Sequence, residues 1–365
     1  MRLILLNQYE PPDPSPTARL IGELADALRA DGQQVTLVGS SQKYHVRARG
    51  KLTRLFRELR ALAELFCKVL TAGKADVIIS TSSPPGLLVI ATFLSILKRA
   101  ESVHWALDLY PELALALESA VPKWVEPMLY SVVRLCYRAT TTVVCLDRDM
   151  RDHIRRFYGV ESEIIQPWLL YPLESIRSAA LNYPPNEPFV WLYSGNLGRA
   201  HEWETLLDAQ RILEERGRNI TLVFQGDGPA RPMAQEAATK LGLKQVQWRH
   251  YAPQDQLADS LLSANVTVVT QKPSTQGLIW PSKLGLVMCL PRPIVFVGPT
   301  NGSISDSLRE RANSACFSPG DSKSLADYID NLHRSWPPED QAILSPGWTF
   351  PSAYQQWKRV LGSLS

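Results

Sequence analysis

The sequence contains few cysteines, and none has the spacing of a disulfide framework or a structural zinc site. Its 365 residues include five cysteines, an odd number, scattered without a C-x-x-C pair: Cys67, Cys136, Cys145, Cys289 and Cys316. This pattern favours a reducing compartment. The six histidines are equally dispersed, with no H-x-H or H-x-x-x-H pair, so no metal site is predicted.

Long hydrophobic runs and a large excess of one charge are also missing. The longest apolar run, residues 86–97, is shorter than a membrane-spanning helix requires. The N-terminus has only a five-residue apolar run, too short for a secretory signal. The net charge of +3 excludes a polycationic coat for nucleic acid, and no nucleic-acid partner is predicted. We therefore expect a cytoplasmic protein.

Short apolar runs alternate with longer amphipathic segments along the whole chain. The strand-like runs are RLILL (2–6), QVTLVG (34–39), ADVIIST (75–81), SVHWALD (102–108), TTVVCL (141–146), SEIIQP (162–167), FVWLYSG (189–195), ITLVFQG (220–226), VQWRHY (246–251), VTVVTQ (266–271), PIVFVG (293–298) and SACFS (314–318). Continuous apolar strands separated by helices are typical of parallel sheets covered on both faces. The sequence thus predicts an α/β protein with doubly wound parallel sheets.

A proline-rich stretch interrupts this alternation once and indicates two domains. We predict a Rossmann-like N-terminal domain over 1–170, a linker over 171–188, a Rossmann-like C-terminal domain over 189–349 and a final helix over 350–365. Ligands bind beyond the carboxyl ends of the strands in such sheets. The cleft between the two sheets is therefore the predicted site.

Segment 43–74 is strongly basic. It carries nine Lys/Arg against Glu58 and Glu64, and its leucines and phenylalanines recur at helical spacing. One interpretation is contact with an anionic membrane surface, which would make the protein peripheral on the inner face of the membrane. The other is a solvated helix with a basic outer face. The sequence leaves both open.

Two loops of the first half carry hydroxyl or acidic side chains at predicted helix starts. The first strand-to-helix loop lacks G-x-G-x-x-G, which removes the main support for a dehydrogenase. Its Ser15 and Thr17 suit an anion or a sugar hydroxyl on the acceptor or phosphate side, although a plain helix cap is the favoured interpretation. Asp147 and Asp149 spell D-x-D, and a helix cap is again favoured over a metal site.

Three loops of the second half each follow a strand and indicate a ligand that bears phosphate. Glycines permit a close approach of the backbone, and cations attract an anion. The predicted nucleotide-sugar-binding residues are Gly195, Asn196, Gly198, Arg199, Gly226, Asp227, Gly228, Ser282 and Lys283. Pro281 is expected at the first position of a helix, which would direct free amides and Lys283 at the anion.

In this order, the motifs resemble the retaining family 4 glycosyltransferases of the GT-B fold, closest to the bacterial branch that builds lipid-linked and exopolysaccharide glycans. The matching stretches are residues 7–38, DLYPE (108–112), IIQPW (164–168), YSGNLGRAHEWETLL (193–207), QGDGP (225–229), WPSKL (280–284) with RPIVFVGP (292–299), and CFSPGD (316–321).

The resemblance implies that the second domain holds a nucleoside diphosphate sugar, with UDP expected in preference to GDP. It implies that the first domain faces a glycan or lipid-linked acceptor and that the C-terminal helix packs back on it. It also implies that no metal or other cofactor is required.

The chain departs from the family pattern at four positions. Many members place two cations around the loop 195–202, where this chain has Asn196 and His201. Many also carry E-x7-E in the later loop, where this chain has Thr275 and Lys283. Lys283 can restore the cation that His201 supplies only in part at neutral pH.

The predicted reaction makes charge grow on a diphosphate leaving group. The candidates to stabilise it are the amides of Gly195–Gly198, Arg199, His201 and Lys283. On the acceptor side, Asp108 ends a strand in DLYPE and either orients the acceptor or accepts its proton, or else caps the next turn. Asp108, His201 and Lys283 are the predicted catalytic residues.

Two alternatives remain. The missing glutamate pair also fits a non-catalytic GT-B subunit that binds a partner glycosyltransferase. A sugar-nucleotide epimerase shares the two-domain architecture, but the DLYPE and PSK elements argue against it.

Overall fold

The computed structural model describes most of the chain, which folds as two compact units. The described residues are 1–42, 50–117, 122–170, 184–311, 313–337 and 349–364. The first unit comprises residues 1–170, 277–280 and 347–365, and the second comprises 171–276 and 281–346. Of the predicted linker, residues 171–183 lie outside the described residues, as do residues 43–49 of the basic segment.

Six parallel strands form the sheet of the first unit, in the order β2-β1-β3-β4-β5-β6. They are β1 Arg2–Leu6, β2 Gln34–Val38, β3 Val77–Thr81, β4 Glu101–Trp105, β5 Thr142–Cys145 and β6 Glu163–Ile164. In register, Leu3 of the central β1 lies between Val35 and Val77. The buried strands explain the continuous apolar runs, because helices cover both faces of the sheet.

The helices of this unit are α1 Pro16–Ala30, α2 Lys51–Thr71, α3 Leu87–Lys98, α4 Glu112–Ala116, α5 Glu126–Ala139 and α6 Arg148–Tyr158. Ile4 and Leu6 pack with Leu65 of α2 and Leu94 of α3 in one core cluster. Right-handed crossovers place α2, α3 and α5 side by side on that face of the sheet. Asp147 caps α6 by accepting from Met150 N at 2.7 Å, which confirms the interpretation of this aspartate as a helix cap.

The second unit repeats this architecture with the sheet order β12-β11-β10-β7-β8-β9. Its strands are β7 Phe189–Ser194, β8 Ile220–Gln225, β9 Val246–Arg249, β10 Val266–Thr270, β11 Ile294–Val297 and β12 Ser314–Phe317. Its α-helices are α7 Glu204–Glu215, α8 Arg231–Lys240, α9 Leu257–Leu262, α10 Leu284–Met288, α11 Ser303–Arg309 and α12 Ser322–Arg334. All twelve predicted strands are present, and the prediction of two doubly wound sheets is confirmed.

The C-terminal helix, α13 Phe350–Gly362, packs in the first unit. Its Trp357 is fully buried and meets the Trp105 ring edge-to-face, with the ring centroids 5.0 Å apart. Trp168 stacks on the Trp105 ring with the ring centroids 5.7 Å apart. Tyr354 donates from its hydroxyl to Ala27 O of α1 at 3.0 Å. Aromatic packing therefore fixes α13 beside α1, on the sheet face opposite α2 and α3.

Residues 277–280 lie in the first unit, whereas the sequence pattern predicted them inside the domain 189–349. Leu109 N donates to Leu278 O at 2.8 Å, and Ile279 forms an antiparallel bridge with Asp108. Backbone pairing between segments that are distant in sequence leaves no signal in local periodicity. Within the described ranges, no helix is both long enough and apolar enough to cross a membrane.

The aromatic packing of α13 yields a stability prediction. Trp357→Ala should remove about 3–5 kcal/mol from the unfolding free energy of the first unit, the usual cost of emptying a buried Trp site. Trp124, which is 80% exposed, provides the matched control, and Trp124→Ala should cost less than about 0.5 kcal/mol. Because the two units can unfold separately, urea unfolding is followed by hydrogen exchange of β4 peptides. If Trp357→Ala and Trp124→Ala lowered the unfolding free energy equally, the buried packing of Trp357 in α13 would contribute no stability.

Candidate functional site

The strand order of the second unit reverses between the neighbouring strands β7 and β10. The chain continues outward from β7 through β8 and β9, and from β10 in the other direction through β11 and β12. Ligands of open α/β sheets bind beyond the carboxyl ends of the strands at such a switch point. The loop 195–203 follows β7 and the loop 271–276 follows β10, and Lys283 reaches the same place.

Lys283 holds its ammonium group against an aromatic ring at this switch point. Its Nζ lies 3.5 Å from the centroid of the Tyr193 ring, near the end of β7. The ammonium is buried and has no hydrogen-bond partner among the described residues. Burial lowers the pKa of Lys283 well below its ordinary value. An anion entering here would supply the missing partner and restore the charge.

Gly195 provides the space for this lysine. A Cβ at position 195 would lie 3.0 Å from Lys283 Nζ. The φ of Gly195 is +136°, a conformation that side-chain-bearing residues rarely adopt. The glycine is therefore required both by the backbone and by the neighbouring cation.

His201 is uncharged at neutral pH in this structure. Its Nδ1 lies 2.9 Å from Thr270 O, and a carbonyl only accepts, so Nδ1 carries the proton and Nε2 is an acceptor. Burial, and secondarily the charge of Lys283, lowers the pKa of His201 to about 3. The expectation that His201 supplies part of the positive charge is thus corrected, because desolvation disfavours the imidazolium.

The Tyr193 ring contacts both Lys283 and His201. Tyr193 is not among the site residues that the sequence predicted. Its ring meets the His201 ring edge-to-face at 5.7 Å, and its hydroxyl donates to Asn196 O at 3.0 Å. Burial raises the pKa of this phenol well above its ordinary value. In the sequence Tyr193 belongs to the apolar run FVWLYSG, and only its place two residues before Gly195 distinguishes it.

The glycines after β8 support the loop after β7. A Cβ at Gly226 would lie 2.2 Å from Gly195 O, and one at Gly228 would lie 2.3 Å from Leu197 O. Leu197 N donates to Asp227 O at 2.7 Å, which fastens the two loops together. Gly226 and Gly228, predicted as ligand-binding residues, are therefore needed for loop packing in this structure.

The remaining predicted residues of this unit lie on its surface. Asn196, Arg199, Asp227 and Ser282 are exposed, and Gly198 is half-buried. The helix expected to begin at Pro281 begins three residues later, at Leu284. It is α10, whose five residues begin only after Lys283, so the predicted array of amides starting at Pro281 is wrong. Leu284 N is used in a turn to Pro281 O at 2.8 Å.

In the first unit, Asp108 follows β4 and is half-buried. Its backbone N donates to Ser82 Oγ at 2.8 Å, whereas its carboxyl forms no hydrogen bond with the residues that the structure describes. Burial raises the pKa of Asp108 to about 6. The carboxyl therefore does not cap the next turn through a hydrogen bond, and it titrates close to neutral pH.

Ser15 and Thr17 lie beside the switch point of the first sheet, between β1 and β3. Ser15 is buried and caps α1 by accepting from Ala18 N. The Thr17 hydroxyl accepts from the buried Asn7 side chain, whose oxygen accepts from Thr81 Oγ1 at 2.7 Å. Within the described ranges, no three His, Cys, Asp or Glu side chains are grouped as metal ligands.

Two family descriptions match the sequence. "Glycosyl transferase 4-like domain" matches residues 17–166, and "Glycosyl transferases group 1" matches residues 180–344. Among curated proteins, the probable glycosyltransferase WbjE of Pseudomonas aeruginosa is 25% identical over 311 residues, which cover 80% of this chain and 74% of WbjE.

Solved structures share the fold over the full length. A sucrose-phosphate synthase of Thermosynechococcus elongatus superposes with a TM-score of 0.71 at 14% identity, over 99% of this chain and 98% of that one. The Anabaena protein HepE, solved in complex with UDP, gives 0.66 at 16% identity over the whole of both chains.

The loop contact at Gly226 generates a second prediction. Gly226→Ala places a Cβ against Gly195 O and should cost about 2 kcal/mol more than Gly242→Ala, the scale of overpacking. Gly242 also has a positive φ, +69°, but open space around it, so the difference between the variants reports the close contact together with the less permissive φ of +125° at Gly226. Urea unfolding followed by hydrogen exchange of β8 measures both variants. If Gly226→Ala and Gly242→Ala lowered the unfolding free energy equally, the close contact between position 226 and Gly195 O would be contradicted.

Proposed function

The chain belongs to the family 4 glycosyltransferases of the GT-B fold, and we propose that it transfers a sugar, with retention, from a nucleoside diphosphate sugar to a hydroxyl acceptor. We propose a glycan or lipid-linked acceptor. The observation that carries the donor assignment is the buried ammonium of Lys283 at the switch point of the second unit.

Lys283 fits the main electrostatic demand of this reaction. When the sugar leaves, negative charge grows on the diphosphate oxygens, and a lysine already fixed in a desolvated site, with its proton restored by the bound diphosphate, stabilises that charge strongly. Relatives place cations where this chain has Asn196 and His201. The Lys283 ammonium and the His201 ring both contact the Tyr193 ring, so the lysine lies near the position whose cation it would replace.

Thr275 and Lys283 take the places of the glutamate pair that many relatives carry. Thr275 is fully buried and donates its hydroxyl to Lys272 O at 2.9 Å, so it offers no equivalent of a carboxylate. In this proposal, donor binding relies on Lys283, on His201 Nε2 as an acceptor and on the backbone of the loop 195–198. UDP is the proposed nucleotide, supported by the complex of HepE, a protein of the same fold, with UDP.

Asp108 is the proposed acceptor-side residue. The carbon–oxygen bond to the diphosphate breaks, a bond to the acceptor oxygen forms, and the acceptor hydroxyl loses its proton. A carboxyl whose pKa is about 6 is mostly ionised at pH 7, so it can orient that hydroxyl or accept its proton. Because the carboxylate is the active form, this role predicts that the rate falls as the pH drops below about 6.

The reaction itself is tested with UDP-sugars and GDP-sugars in the presence of a lipid-linked acceptor. We expect turnover of a UDP-sugar, a product with the anomeric configuration of the donor by NMR, and activity that survives EDTA. An inverted product would overturn retention, and loss of activity restored by Mn²⁺ would overturn metal independence. Nucleotide binding without turnover on any acceptor would instead favour the non-catalytic subunit.

Lys283 gives the sharpest test of the donor site. Lys283→Ala should cost about 2–4 kcal/mol of transition-state stabilisation, the scale of removing one fixed donor, and should weaken nucleoside diphosphate binding. Lys283→Glu should be worse, because it adds repulsion. Arg199→Ala is the matched control: Arg199 is an exposed cation in the neighbouring loop, and its loss should be milder.

Titration calorimetry with UDP, GDP and ADP measures these affinities. The lowered pKa of Lys283 also predicts how binding depends on pH. A bound diphosphate raises this pKa, so the protein should take up a proton on binding. The affinity should therefore fall as the pH rises. Titrations in buffers of different ionisation enthalpy detect that uptake, and Lys283→Ala should abolish it. Unchanged affinity in Lys283→Ala would place the nucleotide elsewhere.

A further inference from the structure

Large apolar side chains are exposed on the outer surface of three helices of the first unit. Six of them define what we call the outer helical face: Phe56, Phe93, Ile96, Trp124, Met128 and Leu135. Phe56 lies on α2, Phe93 and Ile96 lie on α3, and the others lie on α5 or just before it. Each is more than half exposed, with Trp124 at 80% and Phe56 at 76%.

The three helices that carry the outer helical face pack side by side. The rings of Phe66 on α2 and Phe93 on α3 have centroids 6.0 Å apart, and α3 packs on α5 along its other side. The opposite face of the sheet is covered by α1 and α13. The apolar residues therefore share one side of the unit.

Exposed large apolar side chains are concentrated in the first unit. In the described part of the second unit, only Met233, Leu241 and Tyr251 belong to this class. Large apolar side chains that are concentrated on one side of a domain indicate a binding surface, whereas single scattered ones are ordinary.

The charge of the same helices indicates what the face binds. Segments 51–71, 87–99 and 122–139 together carry ten Lys/Arg against three Asp/Glu, whereas the rest of the chain carries twenty-nine against thirty-three. The basic residues are thus enriched in the segments that expose apolar side chains. Apolar side chains with a fringe of cations complement a bilayer whose headgroups are anionic, because the aromatic rings settle at headgroup depth and the cations meet the phosphates.

We propose that the outer helical face docks on the surface of an anionic phospholipid bilayer, with Phe56, Ile96 and Trp124 inserted at the level of the headgroups. The interaction involves three helices, so it extends the membrane interpretation of segment 43–74 from charge to apolar insertion. It does not depend on the proposed reaction, and the same lipid surface would hold a lipid-linked acceptor.

Vesicle sedimentation tests this proposal with the full chain. Vesicles of phosphatidylethanolamine with phosphatidylglycerol are compared with vesicles of phosphatidylcholine alone. The variant Phe56→Ser/Ile96→Ser/Trp124→Ser removes one apolar side chain from each helical segment, and we expect its partition to the anionic vesicles to fall at least about tenfold. All three side chains are at least two-thirds exposed, so the fold should be retained, which the melting temperature checks. Met233→Ser, a change of the same kind in the second unit, should leave partition unchanged.

A charge variant separates the electrostatic contribution. Arg60→Gln/Lys123→Gln neutralises two exposed cations of these segments and should weaken binding to anionic vesicles and reduce its dependence on salt. Lys244→Gln/Lys323→Gln makes the same change in net charge with exposed residues of the second unit and should have little effect.

Three outcomes would overturn the proposal. The first is a wild-type chain that sediments with neither kind of vesicle at low salt. The second is an equal loss of partition in Met233→Ser and in the triple serine variant. The third is a wild-type dimer in sedimentation velocity without lipid that the triple serine variant dissociates, which would assign the face to a second copy of the chain.

Discussion

The ammonium group of Lys283 lies buried in the second unit without a hydrogen-bonding partner among the described residues, and the proposed donor site depends on it. A desolvated cation is unfavourable, and the contact with the Tyr193 ring offsets only part of that cost. Its position is fixed by Gly195, which leaves room for it, and by Gly226 and Gly228, which hold the neighbouring loop in place. In the proposed reaction, the lysine is therefore positioned before the diphosphate binds, as preorganised stabilisation of a leaving group requires.

The departures from the family pattern make physical sense together in the proposed reaction. A second lysine at the position of His201 would face the ammonium of Lys283, and two like charges in one desolvated site repel strongly. A neutral imidazole avoids this repulsion, and its bond to Thr270 O leaves Nε2 able to accept a hydrogen bond from a sugar hydroxyl. In the proposed donor site, the change of charge sign at position 283 would therefore compensate for the loss of a cation at position 201.

The first unit uses the two faces of its sheet differently. On one face, Trp105, Trp168 and Trp357 pack together and fix the C-terminal helix against α1. On the other, α2 and α3 bury their inner surfaces in the core cluster and α5 buries Cys136 and Tyr137, but all three helices also present apolar side chains outward. The core of the domain accounts for the apolar residues on the inner side of a helix but not for those on its outer side. These outward apolar side chains are the basis of the proposed membrane contact.

The sequence by itself determined the architecture of both units. Apolar runs that alternate with amphipathic segments identified all twelve strands. A strand of a parallel sheet that is buried on both faces has a continuous apolar sequence, which is visible within the strand itself. The cap formed by Asp147 was also predictable, since it acts on the next three residues. Motif order was sufficient for the family, and it drew attention to Lys283, although not to its surroundings.

The tertiary structure alone decided how distant residues act on one another. It placed residues 277–280 beside Asp108, brought Tyr193 under the ammonium of Lys283, and made His201 neutral. It also showed that Gly226 and Gly228 are required by the adjoining loop. Each of these facts depends on pairing, packing or desolvation between segments far apart in the chain. Periodicity and local motifs report only what a residue shares with its near neighbours, so they carry no record of such contacts.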